Sequence, residues 1–101
     1  MSVLVTMKVA GNVAKFQEAV TARADEFAEI GARSRTEGAI HHRFGVGDGF
    51  VVVVDEWETP EQFEKFFGNP DLQAFIGEIG GDPTVAPEIT ITEAIASADQ
   101  F

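Results

Sequence analysis

The sequence contains no cysteine and no tyrosine, and each absence excludes a class of chemistry. Without cysteine the chain has no disulfide, no thiolate nucleophile, no iron–sulfur cluster and no cysteine-based zinc site. Without tyrosine, no phenol can act as an acid or as a radical carrier. No apolar run approaches the roughly 18 residues that a membrane-spanning helix needs. Segment 1–10 has no basic start and carries Lys8 within its apolar stretch, so we expect no signal peptide and a cytoplasmic protein.

Basic residues are scarce as well. The chain has 7 Lys and Arg against 17 Asp and Glu, a net charge of −10. Because such a chain repels polyanions, we expect neither nucleic acid nor a membrane surface as a partner. Hydrophobic residues make up 45% of the sequence and charged residues 24%, which is typical of a globular protein. With 101 residues, the whole of 1–101 is expected to form a single domain.

The hydrophobic pattern predicts four strands and two helical regions. Apolar residues alternate along 2–9, and Gly11 then ends this strand. Asn12 is a suitable N-cap for one long amphipathic helix over 13–32. Further strands are predicted over 38–46, 50–57 and 88–95. Two short helices are predicted between them, the first opened by a capping box that starts at Thr59 and the second by Asn69-Pro70. Gly77, inside the last helix, is expected to mark either close packing or a gap for a ligand.

The order β-α-β-β-α-β is that of an α+β, ferredoxin-like antiparallel sheet. Right-handed crossovers place both helical regions on the same face of such a sheet. The other face would then be bare. Yet Val51, Val52, Val53 and Val54 make both faces of the third strand apolar. We therefore expect a homodimer in which the bare faces of two sheets pack together.

The turn at Asp48-Gly49 sets the register between the second and third strands. Asp-Gly is a strong signal for a two-residue hairpin loop. Such a loop predicts three facing pairs: His42 with Asp55, Ile40 with Trp57, and Phe44 with Val53. A three-residue loop would instead place Glu56 opposite His42.

With the two-residue loop, His42, Asp55 and Trp57 share one face of the sheet. A carboxylate beside an imidazole orients it, which is a common arrangement for a general base. The alternative is a cross-strand ion pair with no chemical role. His41 points to the opposite face, so the two histidines cannot chelate one metal ion, and no metal site is predicted.

Several motifs resemble the antibiotic biosynthesis monooxygenase-like group of the dimeric α+β barrel superfamily. They are Gly-Asn-Val-Ala-Lys-Phe at 11–16, Gly38 at the head of the second strand, Asp55-x-Trp57 at the end of the third, Thr-Pro-Glu-Gln-Phe-Glu-Lys-Phe-Phe at 59–67, and Asn69-Pro70. The resemblance covers nearly the whole chain. It implies a dimeric barrel with a small-molecule cavity between sheet and helices in each protomer. Members of this group include cofactor-independent oxygenases, haem-degrading enzymes and proteins with no known reaction.

The sequence also departs from these relatives. Haem-degrading members pair the tryptophan of this strand with a histidine on the following helix. That helix has Phe63, Phe66 and Phe67 here and no histidine, so haem ligation is not expected. Quinone-forming members place an asparagine before the tryptophan, at the position of Val53 here. This departure argues against copying their mechanism onto this chain.

Resemblance and residues together suggest a protein that binds an apolar or aromatic organic molecule. Its predicted contacts are Trp57, Phe44, Phe63 and Phe67. As a cofactor-independent monooxygenase, it would use His42 as the base and Asp55 to orient that base. One alternative is a non-catalytic ligand-sensing or stress-associated interaction module whose phenylalanines fill the cavity, for which a volume under about 100 Å³ would argue. Another is an isomerase or cyclase with the same histidine.

Overall fold

Four strands form one antiparallel sheet, and four helices pack on one of its faces. The computed structural model describes residues 1–101. In chain order the elements are β1 (Val3–Ala10), α1 (Val13–Ala22), α2 (Ala24–Thr36), β2 (Ala39–Val46), β3 (Phe50–Trp57), α3 (Pro60–Phe67), α4 (Pro70–Glu78) and β4 (Glu88–Glu93). The strand order is β2-β3-β1-β4, with every pair antiparallel. This is the ferredoxin-like α+β fold that the sequence predicts. None of the helices is long and apolar enough to cross a bilayer.

Side-chain caps begin three of the helices. The Asn12 side chain accepts a hydrogen bond from the Lys15 amide at 3.0 Å and starts α1. Thr59 accepts one from the Gln62 amide at 3.2 Å and starts α3, with Pro60 in the first turn. Asn69 accepts bonds from Asp71 and Leu72 at the start of α4. These caps satisfy amide groups that have no partner within the helix, which explains why helices begin at these positions.

The single helix predicted over 13–32 is wrong, because the chain leaves the helix at Arg23. The backbone there has φ −118° and ψ 34°, and α2 then runs on to Thr36. The Arg23 guanidinium donates to Glu26 at 2.8 and 2.7 Å and to Glu78 of α4 at 3.3 Å. It also lies 4.7 Å from the centre of the Phe75 ring. The hydrogen bond from Arg23 lowers the pKa of the Glu26 carboxyl. These tertiary contacts accompany the break, and no glycine or proline in the sequence marks it.

The two faces of the sheet differ in exposure. The face under the helices buries Val5, Met7, Val53 and Trp57 among the aromatic and aliphatic side chains of α3 and α4. The opposite face leaves Leu4 45% and Val54 48% exposed, so it is apolar in part and has nothing packed on it within the protomer.

The hairpin register agrees with the two-residue loop at Asp48-Gly49. The Gly47 amide donates to the Phe50 carbonyl at 2.9 Å, and the pairs His42–Asp55 and Phe44–Val53 are confirmed. The third pair is wrong, because Ala39 rather than Ile40 faces Trp57. The register shifts between Ala39 and His41, so Ile40 is the extra residue of a β-bulge and is 44% exposed.

Two glycines permit a close backbone crossing at one end of the sheet. The Asn12 amide donates to the Gly80 carbonyl at 2.9 Å, and Gly80 has φ +117°. A Cβ on Gly11 would collide with that same carbonyl oxygen. Gly77 is different, because a Cβ there meets nothing within 4 Å and the residue is exposed. The expectation that Gly77 marks close packing or a ligand gap is therefore wrong.

The two glycine environments give a matched pair of variants. Gly11→Ala should lower the free energy of unfolding by about 2 kcal/mol or more, since rigid backbone faces the new methyl group. Gly77→Ala should raise it by up to about 1 kcal/mol, because alanine favours a helix interior. Urea denaturation measures both values. Equal stability of the two variants would contradict the crossing described here.

Candidate functional site

A cavity of about 140 Å³ lies between the sheet and the helices. Of its 26 lining residues, 18 are hydrophobic, so its wall is mainly apolar. The sheet contributes residues of β1, β2 and β3, and all four helices contribute side chains from the other side. The cavity exceeds the 100 Å³ below which a filled, ligand-free interior would be favoured. It is smaller than the roughly 300 Å³ of pockets for drug-sized ligands.

The cavity wall includes a chain of three hydrogen-bonded side chains. His42 Nδ1 lies 2.6 Å from Asp55 Oδ1, and Trp57 Nε1 donates to Asp55 Oδ2 at 3.0 Å. The side chains of Asp55 and His42 are 8% and 43% exposed. Both carboxylate oxygens therefore have a donor beside them, and the imidazole reaches from the buried carboxylate toward the surface.

Strand geometry explains why these residues meet. Asp55 and Trp57 are two apart on β3 and so point to the same face, and His42 faces Asp55 across the β2–β3 pair. An ionised carboxylate only accepts hydrogen bonds, so the proton of a neutral imidazole lies on Nδ1. This leaves Nε2 of His42 with a free lone pair, which can accept a proton from a bound molecule.

Four phenylalanines form a connected cluster at one side of the cavity. The Phe44 ring lies 4.6 Å from the His42 ring and 5.0 Å from that of Phe16, centre to centre. Phe27 lies 6.0 Å from Phe44 and 5.3 Å from Phe75. All these contacts are edge-to-face, the geometry that aromatic rings favour. The cluster limits the space beside His42.

A second aromatic group surrounds Trp57. The indole is 2% exposed and packs against Phe63 at 5.9 Å and Phe66 at 5.5 Å. Phe63 in turn stacks on Phe67 at 5.7 Å with the ring planes 7° apart. Trp57 thus forms part of the cavity wall, and side chains of α3 pack against it.

All six residues that the sequence suggests for the site line this cavity. They are His42, Phe44, Asp55, Trp57, Phe63 and Phe67. His41 faces Glu56 on the opposite side of the sheet, as its alternation requires. No cluster of three or more His, Cys, Asp or Glu side chains that could hold a metal ion is present.

Sequence reasoning missed several lining residues. Phe16 and Phe27 fit the helical period of a buried face, which does not separate core from cavity wall. Ser34 also lines the cavity, and its hydroxyl donates to the Gly31 carbonyl at 2.7 Å. A polar residue in the otherwise apolar positions of α2 was the available signal for it.

Comparison with known proteins gives a result at the level of structure. No family model matches the sequence, and no curated protein matches it either. SnoaB, a cofactor-independent oxygenase from Streptomyces nogalater, is similar in structure with a TM-score of 0.61 at 15% identity, over 98% of this chain and 97% of that one. Rv0793 from Mycobacterium tuberculosis has a TM-score of 0.60 at 16% identity, over 98% of this chain and 100% of that one. A candidate antibiotic biosynthesis monooxygenase from Caulobacter crescentus has a TM-score of 0.63 at 15% identity, over 94% of this chain and 91% of that one.

This chain has the fold of antibiotic biosynthesis monooxygenase-like proteins. The match runs over almost the full length of each partner, so it includes the sheet and both helical regions. At these identities the likeness concerns the fold.

The hydrogen bond between Trp57 and Asp55 can be tested through stability. Asp55→Leu should lower the free energy of unfolding by about 1–3 kcal/mol, because it leaves the buried indole N–H without a partner. Asp55→Asn keeps one carbonyl acceptor at the same place and should cost less. Urea denaturation of both variants gives the comparison. A leucine variant as stable as the wild type would show that this bond contributes nothing to folding.

Proposed function

We propose that this protein binds a small apolar or aromatic molecule in the cavity and oxidises it with O₂ without a cofactor. The observation that carries the proposal is the His42–Asp55–Trp57 chain at the wall of an otherwise apolar cavity. An apolar pocket with a few convergent polar groups is the usual form of a small-molecule site. The likeness to SnoaB, a cofactor-independent oxygenase, supports the reaction class.

The volume of the cavity suggests the size of the ligand. An apolar cavity of about 150 Å³ is large enough to hold benzene. The cavity here, about 140 Å³, would hold a molecule of one aromatic ring. Larger ring systems would need the phenylalanines of the cluster, such as Phe27 and Phe44, to move aside. We therefore propose a phenol or a related single-ring compound as the substrate class.

The chemistry needs one base and no external reductant. His42 Nε2 takes the proton of the ligand hydroxyl, and Asp55 stabilises the imidazolium that forms. The resulting phenolate is rich in electrons and reacts with O₂ at a ring carbon, where a C–O bond forms. Loss of water then yields the quinone. One oxygen atom enters the ring, and the two hydrogens lost by the phenol leave with the other as water, so the substrate supplies all electrons.

A second copy of the chain would complete the assembly. The uncovered sheet face exposes Leu4 and Val54 about half, and Val52, two residues before Val54 on the same face, is partly buried. Two such faces packed together would remove this apolar surface from water, at a gain of roughly 25 cal/mol per Å². We propose that the protein is a homodimer with sheet packed on sheet, as the resemblance to dimeric α+β barrels also implies.

The role of His42 is tested by removing its imidazole. His42→Ala should weaken the binding of phenol about tenfold, the equivalent of one lost hydrogen bond. It should also lower any rate of oxygen uptake about 100-fold or more. Lys65→Ala is the control, because Lys65 is exposed on α3 and does not line the cavity. Calorimetry and an oxygen electrode provide the measurements.

The outcomes of these experiments separate the candidate functions. Phenol consumption with stoichiometric O₂ uptake supports an oxygenase. Conversion without O₂ uptake would indicate an isomerase or cyclase, and binding without conversion would indicate a ligand sensor. If neither His42→Ala nor Trp57→Phe alters the affinity for any phenol or quinone, the proposed site is wrong.

The dimer is tested by placing a charge on the uncovered face. Val54→Asp should convert a dimer to a monomer at micromolar concentration, since it buries a carboxylate in the proposed interface. Arg43 faces this position across the β2–β3 pair, so the monomer can accommodate the new charge. Val85→Asp changes an equally exposed valine in the loop before β4 and should have no effect. Native mass spectrometry measures the oligomeric state of both variants and of the wild type. A monomeric wild type would refute the proposed interface.

A further inference from the structure

An open groove of about 470 Å³ lies on the outer side of His42, between α2 and β2. Four residues line both this groove and the inner cavity. They are Gly31, Ser34, Ala39 and His42. The groove and the cavity are therefore neighbouring spaces that share one wall.

That shared wall is thin. Gly31 has no side chain, and a Cβ built there would meet nothing within 4 Å. Ser34 and Ala39 are small, and the hydroxyl of Ser34 is turned back to the Gly31 carbonyl. His42 is the only large side chain of the four. Three small residues and one imidazole are thus what separates the cavity from the groove.

The groove differs in charge from the rest of the protein. Its lining includes Arg35, His41 and His42 and no acidic residue, in a chain that has 17 acids. Arg35 has no carboxylate within 4 Å. The only acid of the inner cavity is Asp55, and both of its oxygens are engaged by His42 and Trp57. The groove beside His42 therefore presents a guanidinium that has no carboxylate partner.

We propose that this groove is an anion subsite of the same binding site, and that the ligand is a single aromatic ring that carries a carboxylate. The ring lies in the cavity, and the carboxylate lies in the groove on Arg35, with His41 beside it. A guanidinium offers two parallel N–H donors that match a carboxylate. Because the net charge of −10 repels anions, this local cation would decide which acids the site accepts. The inference rests on the proposed function and deepens it by naming the substrate class.

The test compares charged and neutral ligands of one size. Calorimetry at low salt measures the binding of phenol, of ortho-, meta- and para-hydroxybenzoate, and of the three hydroxybenzamides. At least one hydroxybenzoate should bind the wild type about tenfold more tightly than its amide, and high salt should reduce this preference. Arg35→Gln should abolish the preference and leave the affinity for phenol within about twofold.

Two further variants complete the design. Lys65→Gln removes an equal charge from an exposed position on α3 that lines neither space, and should leave the preference intact. Arg35→Lys keeps the charge without the paired donors, and should retain part of the preference. Thermal unfolding of each variant shows whether the fold is unchanged.

The outcomes also separate this inference from the proposed function. If phenol binding depends on His42 but Arg35→Gln binds hydroxybenzoates as the wild type does, the anion subsite is wrong and the cavity site stands. The same holds if Arg35→Gln lowers only the melting temperature, since Arg35 would then serve the C-terminal end of α2. If phenol and all hydroxybenzoates fail to bind, both proposals fall.

Discussion

The buried carboxylate of Asp55 holds two side chains whose orientation would otherwise be free. A charge in an apolar layer is costly unless hydrogen bonds replace its water. Here His42 and Trp57 supply those bonds, at 2.6 and 3.0 Å. The same bonds leave Nε2 of the neutral imidazole free to accept a proton and hold the indole at the cavity wall. One interaction thus serves both the stability of the layer and the chemistry proposed for it.

The aromatic side chains determine how much space remains around this interaction. One group, with Phe63 and Phe66, supports Trp57 from α3, and the other, with Phe27 and Phe44, narrows the side next to His42. Between them the cavity is limited to about 140 Å³. Because these rings border the cavity, a ligand of the proposed kind would be limited in size as well as in polarity. His42 lies where this enclosed space meets the open groove.

The position of all four helices on one face has consequences for the other. The helix-covered face borders the cavity, whereas the opposite face retains half-exposed Leu4 and Val54. Alternation along a strand assigns each residue to one face without regard to what will cover it. The valine-rich β3 therefore contributes to both the cavity and the proposed dimer interface.

Local rules in the sequence were enough to predict the strands, the three helix caps and the Asp48-Gly49 turn. With period-two alternation and a two-residue loop, they also brought His42, Asp55 and Trp57 to one face, because a hairpin register depends only on nearby residues. The tertiary structure decided the break at Arg23, which accompanies the contact of its guanidinium with Glu78 of α4. It also decided the bulge at Ile40, where the pairing of β2 with β3 shifts by one residue. The tertiary structure also decided the volume of the cavity. Helical periodicity marks an inward-facing side chain, but only packing determines whether it meets another side chain or empty space.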